Sequence, residues 1–117
     1  MSSKLFDPVL SKEVIEFLSK IDTKAANKIF YNIEQAKSKL DPKFFKKLTN
    51  EIWEFRTLFN KVQYRILAFW DKEEKQYVLV FATHGFIKKT QKTPRKEIDK
   101  AIKIKERYFK EKHRNDS

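Results

Sequence analysis

Three apolar runs follow one another closely in the middle of the chain: 52–59 (Ile-Trp-Glu-Phe-Arg-Thr-Leu-Phe), 62–70 (Val-Gln-Tyr-Arg-Ile-Leu-Ala-Phe-Trp) and 77–83 (Tyr-Val-Leu-Val-Phe-Ala-Thr). Aromatic and β-branched residues at this density fit a pleated, half-buried surface. The breaks between them are short, Asn60-Lys61 and a charged turn at 71–76. Connections of that length join antiparallel neighbours, whereas parallel strands need a long crossover. The middle of the chain is therefore expected to form a three-stranded antiparallel meander, with 11 Phe, 4 Tyr and 2 Trp available for a dense core.

The flanks carry a helical period. Asp7-Pro8 reads as an N-cap and first helical residue, and Leu10, Val14, Phe17, Leu18 and Ile21 recur at three-to-four spacing, predicting a helix to about Lys20. Asp22 or Thr23 caps a second helix whose stripe is Ala26, Ile29, Phe30, Ile33, Ala36 and Leu40, and Asp41-Pro42 stops it. Thr93-Pro94 signals a last helix, with Ile98, Ala101, Ile102, Lys105, Tyr108 and Phe109 on its inner side. This order predicts an α+β fold: an N-terminal helical hairpin packed on one face of a small antiparallel sheet, then a C-terminal helix, with the other sheet face partly open. At 117 residues and 14.2 kDa the chain fits a single domain, 1–117, whose tail at 110–117 is expected to fray.

Charge narrows the function. The 27 Lys and Arg against 16 Asp and Glu give +11 at pH 7, as expected of a protein that meets a polyanion. The excess is concentrated at the end, where Lys88, Lys89, Lys92, Arg95 and Lys96 follow one another with no acid among them, just after the single glycine, Gly85. Nucleic acid is the leading partner class, ahead of an acidic protein, and a membrane is not expected. With no Cys and only 2 His, neither a disulfide framework nor a metal site is expected, and no cofactor is implied. A lone glycine rules out a phosphate-cradling glycine loop. No run approaches the length of a membrane span and no secretory pattern opens the chain, so the cytoplasm is the expected location.

RNA cleavage suits such a residue set, because the 2′-OH of RNA supplies the nucleophile and the protein need only align it, move protons and stabilise phosphoryl charge. Arg56 and Arg65 are candidates to hold the phosphate, Lys88 and Lys89 to add charge, and His84 to transfer protons near neutrality. Each has a plainer reading. A strand Arg often pairs with a neighbouring acid such as Glu54, Asp71 or Glu73, a single His is commonly structural, and a lysine run is commonly a solvated loop. Trp53, Trp70, Tyr64 and Phe69 are most simply core, and Gly85 a turn residue. Alternation places Glu54 and Arg56 on one side of their strand. Whether Arg65 joins them depends on the hairpin register.

The ordered set Trp53-Glu54-Phe55-Arg56, Tyr64-Arg65-Ile66-Leu67 and His84-Gly85-Phe86-Ile87-Lys88-Lys89-Thr90-Gln91-Lys92-Thr93-Pro94, followed by Glu97-Ile98-Asp99-Lys100-Ala101, resembles the HigB-like, phage-related branch of the RelE toxin superfamily. The resemblance spans about residues 50–110. It implies a type II toxin–antitoxin toxin, an endoribonuclease that cuts mRNA on the ribosome. It further implies that Arg56 and Arg65 hold the backbone and stabilise the transition state, that Lys88 and Lys89 belong to the basic segment beyond the last strand, and that His84 is a recurring residue of the branch. Lys92, Arg95 and Lys96 extend the expected RNA-binding run. The expected partners are mRNA on the ribosome and a cognate antitoxin, often of helix-turn-helix DNA-binding type. The first strand usual in that family is short or missing before Asp7. Ile98 stands near where some relatives place a catalytic Tyr or His, so the general base has no assigned residue. The same composition suits a non-catalytic RNA- or ribosome-binding module, or an inactive partner of an acidic regulator.

Overall fold

The computed structural model describes residues 4–114, in the order β1 (Asp7–Leu10), α1 (Lys12–Lys20), α2 (Thr23–Ser38), β2 (Phe45–Lys47), β3 (Trp53–Phe59), β4 (Val62–Asp71), β5 (Leu79–Lys88) and α3 (Arg95–Arg114). The α+β class and the antiparallel meander of β3, β4 and β5 agree with the expectation. The meander sits inside a larger, mixed sheet of order β1-β5-β4-β3-β2, in which β1 runs parallel to β5. Asn60 and Lys61 both take positive φ, 49° and 66°, which is the two-residue turn whose twist matches a tight hairpin.

The N-terminal reading needs correction. Asp7-Pro8 opens a strand rather than a helix. Asp7 and Ser11 donate their N–H groups to Val78 and Ala82 of the neighbouring segment, so the intervening Pro8 turns its nitrogen away from β5 and loses no ladder bond. The helix starts later, at Lys12, where the Ser11 hydroxyl accepts from the Val14 N–H at 3.1 Å. Of the two caps open for α2, Asp22 is the one used, accepting from Lys24 and Ala25. That helix buries Ala25, Ala26, Ile29, Asn32, Ile33 and Ala36, while Phe30 and Leu40 of the expected stripe are exposed.

The sheet is covered on both sides, contrary to an expectation of helices on one face. α1 and α2 close one side over Phe45, Phe55, Tyr64, Ile66, Ala68, Val80 and Ala82. On the other, α3 packs Ile98 and Ala101 against Ile52, Leu67 and Phe69. Among the described residues, the end of this second face near the β3–β4 turn is left open as a cleft. Tyr64 and Phe69 are core as expected, and Trp53 and Trp70 pack half-buried against it.

Two further features differ from the sequence reading. Gly85 is not in a turn: it lies within β5, where a Cβ would sit 2.5 Å from the Phe17 ring, so its missing side chain lets α1 approach the strand. α3 continues as helix to Arg114, past Lys110 where the tail was expected to begin, and 115–117 lie outside the described residues. The last turns are held down at Asp71, fully buried, which accepts from the Tyr108 hydroxyl at 2.6 Å and from Lys112 at 2.7 Å, while His113 meets Glu73. Burial pushes Asp71 up, but these bonds and the Glu73 N–H outweigh it and hold its carboxyl below the ordinary range.

Candidate nucleic-acid interface

The β3–β4 register settles the question left open by sequence. Arg56 stands directly opposite Arg65, so both project from the open end of the second face. Lys46, opposite Glu54 on β2, and Lys88, opposite Gln63 on β5, share that face, so four adjacent strands each contribute one cation. Like charges facing each other across a ladder repel. Glu54 relieves the repulsion: only 2% exposed, it lies 3.4 Å from Arg65 Nε and 3.8 Å from Arg56 Nε. The plainer reading of a strand Arg paired to Glu54 therefore holds, alongside the display of charge.

The two arginines are not equivalent. Arg65 is 4% exposed, with Nη1 donating to the Tyr64 carbonyl and Nη2 to Gln63 Oε1, so its planar fork is occupied within the protein and it acts as a fixed positive charge. Burial pulls its pKa below the ordinary arginine value, with Glu54 opposing and Arg56 assisting. Arg56 is half-buried and directs Nη1 to the Pro42 carbonyl at 3.3 Å, leaving part of its guanidinium toward solvent. Lys88 is also depressed, first by burial and then by Arg65, Arg56 and Lys46, against the pull of Glu54.

Arg56 and Lys88 line one cleft of about 710 Å³ with Lys61, Gln63 and Lys89, and among the described residues no acid lines it. The segment that follows β5 is tied to the cluster by Thr93. Expected to cap α3, its hydroxyl instead donates to Glu54 Oε1 at 2.6 Å, and the Pro94 carbonyl receives the first helical N–H groups. The rest of the basic run is dispersed. Lys92 and Lys96 are exposed outside the cleft, and Arg95 pairs with Asp99 at 3.0 Å.

His84 stands apart from this cluster. It is 3% exposed, with Nδ1 3.0 Å from the Thr83 hydroxyl and Nε2 3.1 Å from Glu97 Oε1, and it does not line this cleft. Burial lowers its pKa more than the Glu97 bond raises it. In this position it ties β5 to the first turn of α3. Sequence reasoning missed Lys46 and Thr93: three residues of β2 are too few to show a period, and Thr93 followed by Pro94 looks like an ordinary cap. Among the described residues no three His, Asp or Glu side chains gather to hold a metal ion, and no helix is long and apolar enough to cross a membrane.

Fold and site together define a small basic α+β protein with a cationic cleft at the open end of one sheet, built over a single buried carboxylate. A family model described as Phage derived protein Gp49-like (DUF891) matches residues 16–106, and the chain belongs to that family. Searches of the curated proteins and of the solved structures found no match.

Proposed function

We propose that this protein is the toxin of a type II toxin–antitoxin pair and cleaves mRNA on the ribosome. The carrying observation is the convergence of Lys46, Arg56, Arg65 and Lys88 from four neighbouring strands on one uncovered sheet end. Membership of the Gp49-like family, which is linked to RelE-like toxin–antitoxin proteins, supports the same reading.

In this mechanism the RNA 2′-oxygen attacks the adjacent phosphorus, the bond to the 5′-oxygen breaks, and a 2′,3′-cyclic phosphate and a 5′-hydroxyl result. Arg56 contacts the phosphoryl oxygens, and the buried charge of Arg65 lies behind it, preorganised where negative charge develops. Lys88 adds a further positive charge at the phosphoryl oxygens, while the 2′-OH proton passes to water and water returns one to the departing 5′-oxygen. With no stronger base lining the cleft, the reaction depends on mRNA being held in a reactive geometry, which the ribosome supplies. Lys89 adds attraction for the backbone. The cytoplasm is the compartment this reading requires, and a helix-turn-helix antitoxin laid over the basic cleft would silence the protein.

A second reading, a non-catalytic RNA- or ribosome-binding module, is favoured by two observations: no histidine lines the cleft, and the fork of Arg65 is occupied by Tyr64 and Gln63. Adding the protein to a translating extract and mapping mRNA ends by primer extension separates the two. New ends that appear only with ribosomes support the toxin; ribosome binding without new ends assigns the module.

A further inference from the structure

A second groove opens beside the first. β2 pairs with β3 only along Trp53–Phe55, so the outer edge of β3 beyond Arg56 has no strand neighbour. There α2 and the turn before β2 stand off from the sheet and leave a groove of about 510 Å³. Its walls are the half-buried ring of Phe44 and the side chain of Leu58, which is 64% exposed. Lys28 and Lys43 stand at its rim, and Asn32 lies at its base. Asn32 is 3% exposed and donates through Nδ2 to the Thr57 hydroxyl at 3.0 Å, yet its Oδ1 has no hydrogen-bond partner among the described residues. A buried amide oxygen left unpaired is costly, and the side chain that carries it borders the groove, with the oxygen itself sealed from solvent.

The groove and the cleft described above share Arg56 and Gln63. Among the described residues no Asp or Glu lines either of them. Together they make a continuous cationic path over the sheet end, from Lys28 and Lys43 past Arg56 to Lys88 and Lys89. The two halves differ in character: the cleft is charged and polar, whereas the groove adds an aromatic ring, an aliphatic wall and an amide. An aromatic ring beside phosphate-seeking cations is the pairing that single-stranded nucleic acid recognition uses, with the base on the ring and the backbone on the charges.

We propose that this groove is a nucleotide subsite of single-stranded RNA, taking the base of a residue flanking the phosphate held at Arg56 against Phe44 and Leu58, with Asn32 beneath it and Lys28 and Lys43 holding the neighbouring phosphate. The proposal rests on reading the sheet end as an RNA-binding surface, and it does not require cleavage.

The test titrates the ¹⁵N-labelled full chain with a short 2′-O-methyl oligoribonucleotide, which has no hydroxyl to attack. The Asn32 side-chain amide and the Leu58 N–H are expected to shift saturably along with Gln63, and Phe44→Ala is expected to weaken binding about tenfold or more. Lys28→Ala with Lys43→Ala, both exposed positions, should lower the affinity and flatten its salt dependence without disturbing the fold. Saturable binding that shifts only residues of the Lys88 cleft and ignores Phe44→Ala overturns the subsite while leaving the proposed function intact. Absence of binding up to millimolar oligonucleotide overturns it as well. Shifts at Asn32 with an acidic amphipathic peptide, and none with RNA, would assign the groove to a protein partner and also overturn it. Binding as expected in a protein that produces no new mRNA ends in extract keeps the subsite and removes the toxin reading.

Discussion

Glu54→Gln tests the electrostatic core of the site, because it removes one charge and almost no volume. At 3.4 Å and an effective dielectric of about 20, the attraction between Glu54 and Arg65 is about 5 kcal/mol. The Arg56 pair is longer, 3.8 Å, and its guanidinium is partly in water, so it contributes less. Breaking a buried pair from one side costs about 3–5 kcal/mol, since the surviving charge stays in the protein. Two features place this variant at the low end: glutamine still offers an oxygen to Thr93, and Arg65 keeps its bonds to Tyr64 and Gln63. We expect a loss of about 3 kcal/mol out of the roughly 5–15 kcal/mol usual for a domain. With a urea dependence of about 2 kcal/mol per molar, the unfolding midpoint falls by about 1.5 M and the chain still folds in buffer. Adding Arg65→Met to Glu54→Gln should recover part of the loss, because the stranded charge is gone. A midpoint within about 0.3 M of the parent, or strictly additive effects in the double variant, would show that Glu54 does not hold the cation pair.

Three other outcomes follow from the same structure. Gly85→Ala drives a methyl group into the Phe17 ring and should cost about 1–3 kcal/mol by thermal denaturation, with Phe17→Leu in the same chain recovering stability; a neutral Gly85→Ala would contradict the close approach of α1 to β5. The Asp71–Tyr108–Lys112 cluster sets a pH window. Asp71 titrates below its ordinary value, so its contribution is present above about pH 4 and is lost as pH falls through the folded value; Tyr108 is pushed up to about 12, so its contribution is full below about pH 10 and is lost as pH rises toward 12. Stability profiles of Asp71→Asn and Tyr108→Phe should each lose one limb, and unchanged profiles would remove the cluster from the account. Finally, Arg56→Ala should slow mRNA cleavage in extract by about 10²–10³ with ribosome association kept, whereas Lys88→Ala with Lys89→Ala should flatten the salt dependence of that association, by a slope of about 1.4 if both touch phosphate. Equal potency of Arg56→Ala and the parent in arresting translation would favour the binding module.

The elements that follow from local chemistry were legible in the sequence. Asn60-Lys61 could only be a tight turn between two aromatic runs, and with the hairpin so short, Arg56 and Arg65 had to lie on neighbouring strands. Asp22 was legible as a cap, and the stripe of Ile98 and Ala101 as a buried helix face, because periodicity records burial directly. The Gp49-like family region likewise includes the strand motifs on which the resemblance was built.

Tertiary structure decided whatever depends on a distant partner. Asp7-Pro8 satisfies the chemistry of a helix start and of an edge strand equally well, and only the edge of β5, about seventy residues on, selects the strand. β2 exists because β3 offers it an edge, since three residues carry no signal of their own. His84 is a proton shuttle or a strut according to what surrounds it, and Glu97 and Thr83 surround it. Lys46 joins the cation cluster, and Thr93 bonds to Glu54 instead of capping α3, through contacts that no local pattern announces. Residue types and spacing pointed to the class of chemistry proposed for this chain. Which cations meet, which of them keep a free guanidinium, and which face stays open are properties of long-range packing, where each side chain's environment is set by residues far away in the sequence.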